Sequence, residues 1–192
     1  LVLAMKQART LTDRQLKVVL THCATRRHGA RDRAIVLTSF LAGLRAKEIA
    51  SLTLDDICDV SGRVKEEFAL SPYQTKGKKA RRVFLNTQLR KELAAYIKEY
   101  RPRSGCNSLF QSQKGAGFSA NTMCQLLNHI FDQAGFSDAT SHSGRRSFIT
   151  NLAAKGVGVR VLAELAAHAS ISTTQRYIDV NDDQIRAAVE LA

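Results

Sequence analysis

The sequence predicts an α+β domain that is mainly α, a helical body carrying a small three-stranded antiparallel sheet. Three observations predict it. Apolar residues recur at helical spacing towards both ends of the chain. Between about residues 54 and 85 the pattern changes to short runs of strand length, separated by Ser61-Gly62 and Lys76-Gly77. Only two prolines occur in 192 residues, so little interrupts regular structure.

Each element has its own signal. Thr12-Asp-Arg-Gln15 has the spacing of a capping box, and Leu16, Val19 and Leu20 follow at helical intervals, so a helix runs to about Arg27. Ala34 to Leu41 is a dense apolar run, a buried helix stopped by Gly43. Arg45 to Leu52 is a further short helix with Ile49 inward. Leu54–Cys58, Lys65–Leu70 and Arg81–Leu85 are the three strands. Helical spacing returns from Thr87 to Tyr100, with Leu89, Leu93, Tyr96 and Ile97 on one face. Pro102 to Gly117 is a Gly- and Ser-rich loop. The remainder is helical: Asn121–Gln133, Gly144–Ala154, Val159–Ala167, Thr173–Tyr177 and Asp182–Leu191. Breaks fall at Gly156, Gly158 and Ala169-Ser170. No internal repeat or low-complexity segment is present.

Composition narrows the function. The length suits one domain, and 44% hydrophobic residues can bury a substantial core. Lys and Arg number 29 against 17 Asp and Glu, a net charge of +12, which favours a polyanionic partner, nucleic acid first. Charge alone does not decide this, because a basic protein need not bind a polyanion. Cys23, Cys58, Cys106 and Cys124 are scattered, which argues against a zinc site and a disulfide framework and for reduced thiols in a cytosolic protein. No stretch is long and apolar enough to span a membrane, and Leu1–Met5 is too short for a signal peptide. The chain starts at Leu rather than Met, the expectation being a fragment of something longer.

Four segments carry chemistry together. They are Ala42-Gly-Leu-Arg-Ala-Lys-Glu-Ile-Ala-Ser-Leu52, the basic hairpin tip Thr75-Lys-Gly-Lys-Lys-Ala-Arg-Arg-Val83, Ser141-His-Ser-Gly-Arg-Arg-Ser-Phe148, and Leu165-Ala-Ala-His-Ala-Ser-Ile-Ser-Thr-Thr-Gln-Arg-Tyr177. Two arginine forks suit the non-bridging oxygens of a phosphate. A hairpin lysine can reach a leaving oxygen, two histidines can move protons near neutral pH, and a tyrosine hydroxyl can act as a covalent nucleophile. No carboxylate cluster suggests a metal, so cations would meet the transition-state charge. The inventory fits phosphodiester transfer through a phosphotyrosine without metal or cofactor. Taken singly, each residue has an ordinary reading: Arg45 pairing with Glu48, Lys76 to Arg82 a solvated turn, His168 a core histidine, Tyr177 one half-buried tyrosine among four.

In this order the four segments resemble the tyrosine recombinase, or phage integrase, family. Its pattern is an Arg in a G-L-R-x-x-E-I-x-x-L helix, a hairpin Lys, an H-x-x-R, and a G-H followed by S-x-x-T-T-x-x-Y. The resemblance runs from about residue 10 to the end and points to the C-terminal catalytic domain, with the DNA breaking-rejoining fold. It implies that Arg45 and Arg145 clamp the scissile phosphate of double-stranded DNA. Lys76 would protonate the leaving 5′ oxygen, His142 assist proton transfer from Tyr177, and His168 hydrogen-bond a phosphate oxygen. Tyr177 would attack to give a 3′-phosphotyrosine. Lys78, Lys79, Arg81, Arg146 and Arg176 are the accompanying DNA contacts.

The resemblance further implies a bacterial or phage-encoded cytoplasmic protein associated with the nucleoid. It would form a homo-oligomer, a tetramer, on DNA and stand as a monomer without it. Residues 1–192 would form a single catalytic domain lacking the family's N-terminal core-DNA-binding domain. The tail 181–192 would be exchanged between subunits or packed on its own domain. Ala167 stands where the family pattern has glycine before the late histidine, and the neighbouring cations leave Lys76 the least fixed assignment. Two other functions fit the same residues: a type IB topoisomerase-like enzyme, and a DNA-binding module without catalysis.

Overall fold

The computed structural model describes residues 8–99, 105–168 and 170–177, together with Arg186, Val189 and Glu190. Helix α1 (Asp13–Ala24) begins at the predicted capping box: Thr12 Oγ1 accepts from Gln15 N at 3.3 Å, and Gln15 Oε1 accepts from Thr12 N at 2.9 Å. Helix α2 (Gly29–Ala42) runs through the centre of the core and starts earlier than its apolar run implied. Its Ile35, Val36 and Leu37 are wholly buried. Helices α1, α5 (Thr87–Glu99) and α7 (Ser143–Ala154) pack around it.

Gly43 ends α2 in the left-handed conformation, φ +62°, and a Cβ there would lie 2.5 Å from Phe148 Cδ1 on α7. Only glycine allows both the turn and the approach. The chain therefore reverses tightly into α3 (Ala46–Ala50), which packs on α6 (Ala120–Gln133).

The expected first strand does not form. Leu54–Ile57 is a short helix, α4, and the sheet has two strands among the described residues, not three. The reason is a cap at Thr53. Its hydroxyl accepts from Asp56 N at 3.1 Å, and the Asp56 carboxylate accepts from Thr53 N at 2.9 Å. The segment's apolar residues suit a strand, but the T-x-x-D spacing turns it into a helix. Only a single bridge, Cys58 to Val64, remains of the expected pairing.

Strands β1 (Glu67–Leu70) and β2 (Arg81–Phe84) are antiparallel, with Phe68 opposite Val83. Phe68, Leu70 and Val83 face the core, while Arg82 and Phe84 face out. Residues 71–80 join the strands as a loop fastened at its base. Gln74 Nε2 donates to Ser51 O at 3.1 Å and Asp56 Oδ2 at 2.9 Å, and Lys47 Nζ donates to Thr75 O at 3.2 Å.

Helix α5 buries Leu89, Leu93 and Tyr96, and the Tyr96 hydroxyl donates to Leu109 O at 2.9 Å. Helix α6 starts at Ser119, whose hydroxyl accepts from Thr122 N at 3.1 Å, and sets Phe131 edge-on to Phe40 at 6.2 Å. Helix α8 (Val159–Ala166) and the short α9 (Ile171–Gln175, capped by Ser170) follow α7. Helix α9 begins two residues before its predicted start at Thr173, because Ser170 supplies the cap. The segment before α1 is strapped across the far end of the sequence: Leu11 N donates to the buried Ser147 Oγ at 2.9 Å, and Arg9 pairs with Asp138 at 2.6 Å.

Among the described residues no helix is long and apolar enough to cross a membrane. The expected tail helix, Asp182–Leu191, lies outside the described residues apart from Arg186, Val189 and Glu190.

Candidate active site

Helix starts and helix ends build the site. Arg45 is the residue before α3, extended at φ −76° and ψ 153°, and its side chain is 23% exposed. The carboxylate of Glu48 on that helix is completely buried. It accepts from Arg45 N at 2.8 Å and Arg45 Nη1 at 3.0 Å, and from Arg81 Nη2 at 2.7 Å. One carboxylate thus fixes two guanidiniums. Burial works to raise its pKa, but the charge and hydrogen bond of Arg81, then those of Arg45, outweigh this and hold it below the usual carboxylate value.

Arg145, in the first turn of α7, is buried. Its Nη1 donates to Gly43 O at 2.7 Å and its Nη2 to Ala166 O. Arg81 Nη1 adds a bond to Leu165 O at 3.1 Å. The last carbonyls of α8 lack helical partners, and two cations now fill them. Burial and the charge of Arg45 bring the Arg145 guanidinium from 12.5 down to about 9, with Glu48 opposing; it stays cationic at neutral pH.

Ala167 then adopts the left-handed conformation, φ +46°, at the position where the family pattern has glycine. The turn delivers His168 beside Tyr177, with ring centroids 5.7 Å apart and planes 23° from parallel. Arg146 also lies over the tyrosine ring, its guanidinium carbon 5.2 Å from the centroid. His168 Nδ1 lies 2.9 Å from Thr174 Oγ1. Desolvation, with the charges of Arg145, Arg45 and Arg81, pushes its imidazole from 6.5 down to about 4. His142, the residue before α7, is also held below its ordinary value, first by desolvation and then by Arg145, Arg45 and Lys76.

Arg45, His142, Arg145, Arg146, His168, Arg176 and Tyr177 line one cleft of about 620 Å³, with Thr140 and Thr173 at its wall. The hairpin residues are placed differently. Lys76 and Lys79 line an adjoining groove of about 1050 Å³ that shares Arg45, His168 and Thr173 with the cleft. Lys76 is exposed on the 71–80 loop, and Lys78, also exposed, is in a left-handed conformation at φ +50°. Arg81, expected to face DNA, turns inward to Glu48 with its side chain only 8% exposed. In the sequence Glu48 stands out only as an ordinary partner for Arg45, and Thr174 does not stand out. Glu48 sits at the third position of its helix, facing the preceding backbone N–H, and that was the available signal. Among the described residues no His, Cys, Asp and Glu cluster could hold a metal ion.

The chain belongs to the phage integrase family, whose family model matches residues 9–184. Its relatives include the tyrosine recombinase XerC of Pelobacter propionicus, 27% identical over 181 residues, which are 94% of this chain and 58% of that protein. The chain therefore spans well under two thirds of that relative's length. Among solved structures, the Tn1549 transposon integrase in complex with a circular intermediate DNA superposes with a TM-score of 0.80 at 19% identity, covering 100% of this chain and 68% of that one. The catalytic domain of bacteriophage HP1 integrase superposes with a TM-score of 0.65 at 20% identity, covering 96% of this chain and 95% of that domain. At these identities the superpositions speak for the fold. The predicted fold class is the observed one, with two strands in place of three.

Proposed function

We propose that this chain is the catalytic domain of a site-specific DNA recombinase that cuts and rejoins strands through a 3′-phosphotyrosine. The observation that carries the reading is the convergence of Arg45, His142, Arg145, His168 and Tyr177, distant in sequence, on one cationic cleft. The similarity to tyrosine recombinases and to a DNA-bound transposon integrase supports it.

In this proposal Arg45 and Arg145 hold the non-bridging oxygens of the scissile phosphate. Each keeps guanidinium N–H groups beyond those already bonded to Glu48, Gly43 and Ala166. The Tyr177 hydroxyl attacks phosphorus as its proton passes to His142, whose imidazole is held below its ordinary value first by desolvation and then by the surrounding cations. The 5′ oxygen leaves with a proton from Lys76. The result is a phosphotyrosine ester and a free 5′ hydroxyl, and attack by a second strand's hydroxyl reverses both steps. The bond energy is kept in the ester, and arginine and lysine charges meet the developing negative charge, so the scheme needs neither metal nor cofactor. Lys76 stands at the rim on an exposed loop, and DNA is the partner that draws it in. Lys78, Lys79, Arg146 and Arg176 contact the backbone. Residues 1–192 act as one catalytic unit that assembles as a tetramer on DNA, its tail passed to a neighbour. We assign its work to the bacterial cytoplasm, at the nucleoid.

The test is a nicked suicide substrate bearing the protein's own recombination site. The chain joined to the rest of its protein should form a covalent adduct, and Tyr177→Phe should abolish it with little change in DNA affinity. Failure of the wild type to form any adduct on that site overturns the reading.

A further inference from the structure

We infer that Thr174 is a positioning residue that holds His168 as the neutral tautomer with its proton on Nε2, so that the imidazole offers the cleft a hydrogen-bond donor. The use made of that donor rests on the function proposed above; the tautomer itself does not.

Thr174 is completely buried on α9, and its Oγ1 lies 2.9 Å from His168 Nδ1. Among the described residues this is the one hydrogen bond found for that hydroxyl. The hydroxyl has one proton to give and lone pairs to receive. Were Nδ1 protonated, it would donate to Oγ1, and the buried hydroxyl proton would be left without an acceptor. With Nδ1 bare, the hydroxyl donates to it and nothing buried is left unpaired, which is the cheaper arrangement. The imidazole, brought down to about 4, is neutral at pH 7 and holds a single proton. That proton therefore sits on Nε2, the nitrogen not taken up by Thr174, on a ring that lines the cleft.

The assignment divides the work between the two histidines. A ring whose cleft-side nitrogen already carries a proton cannot take one from Tyr177, although it stacks on that tyrosine at 5.7 Å. It can only donate, as a phosphate oxygen requires. Accepting the tyrosine proton falls to His142.

Proton–nitrogen correlation spectra of the histidine-labelled chain at pH 7 report the tautomer, with His168 identified by its loss in His168→Gln. The expected pattern is protonated Nε2 and bare Nδ1 in the wild type, kept in Thr174→Ser. In Thr174→Val, which keeps the shape and removes the hydroxyl, part of the His168 signal should move to the opposite tautomer. A wild-type His168 protonated on Nδ1, or an unchanged spectrum in folded Thr174→Val, overturns the inference. Should Thr174→Val not fold, the wild-type and Thr174→Ser spectra decide. In single-turnover cleavage, Thr174→Val should be slower by about tenfold at unchanged DNA affinity, with Thr174→Ser restored, as for outer partners that orient other imidazoles. A protein with the expected spectrum that cleaves no DNA refutes the proposed function and leaves the tautomer standing. Cleavage with the opposite spectrum does the reverse.

Discussion

Replacing Glu48 by Gln keeps the shape of the side chain and removes its charge. Glu48 is 0% exposed, and it pairs with Arg81 and Arg45, whose side chains are 8% and 23% exposed. The amide oxygen of the replacement would still accept from Arg45 N, but two guanidiniums, with buried Arg145 near them, would lose the carboxylate they share. Breaking a buried pair from one side costs about 3–5 kcal/mol, mostly because the remaining charge stays buried. For a domain of this size each kcal/mol lowers Tm by about 2–4 °C, so the fall should be about 6–20 °C. Thermal unfolding by circular dichroism measures it. A Glu48→Gln melt within about 2 °C of the wild type would refute the reasoning.

The pH dependence gives a second reading of the same pair. The folded carboxyl titrates below its ordinary 4.5, so its stabilisation is complete above that value and is lost as the pH falls through the folded value. Glu48→Gln should therefore flatten the acid limb of the stability curve as well as lower it.

Other outcomes follow from the same geometry. The His168 imidazole titrates at 6.5 when unfolded and about 4 when folded, so stability should be complete above 6.5 and decline towards 4; the gap is worth about 3 kcal/mol, and His168→Gln should remove most of that decline in urea titrations. Ala167→Gly should raise stability by about 1 kcal/mol, since a left-handed non-glycine residue costs about 1–2 kcal/mol and glycine returns part of that as chain entropy; a lower urea midpoint would contradict this. Gly43→Ala should cost about 2 kcal/mol or more, from the positive φ and the collision with Phe148, read by the same denaturation. Arg145→Lys replaces the planar fork that reaches Gly43 O and Ala166 O from two separate nitrogens with a single ammonium, and strand cleavage should fall by about 100-fold or more in single-turnover assays.

Much of this was legible in the sequence because it was written locally. The Thr12–Gln15 box specified α1, Gly43 stopped α2, and the spacing around His142 and His168 placed each at a helix boundary. Where local signals competed, the reading failed. Leu54–Ile57 has the apolar content of a strand, but the Thr53–Asp56 cap decides its geometry. Arg81 belongs by sequence to a basic run that resembles a solvated DNA contact. Its inward turn depends on a carboxylate 33 positions away, which no local pattern encodes. Thr174 was hidden for the same reason, since its importance comes from a histidine brought back by the left-handed turn at Ala167.

The strap before α1 bears on how the molecule is made. Leu11 bonds to Ser147 across 136 positions, and Arg145 reaches back to Gly43 across 102. Contacts so distant in sequence close late and slowly. On a ribosome delivering the N-terminal end first, neither the Leu11–Ser147 bond nor the proposed phosphate clamp can form until α7 has emerged. Tyr177 follows later still. A chain synthesised only as far as α7 thus still lacks the proposed nucleophile, and the capacity proposed for cutting DNA would arrive only once Tyr177 is in place.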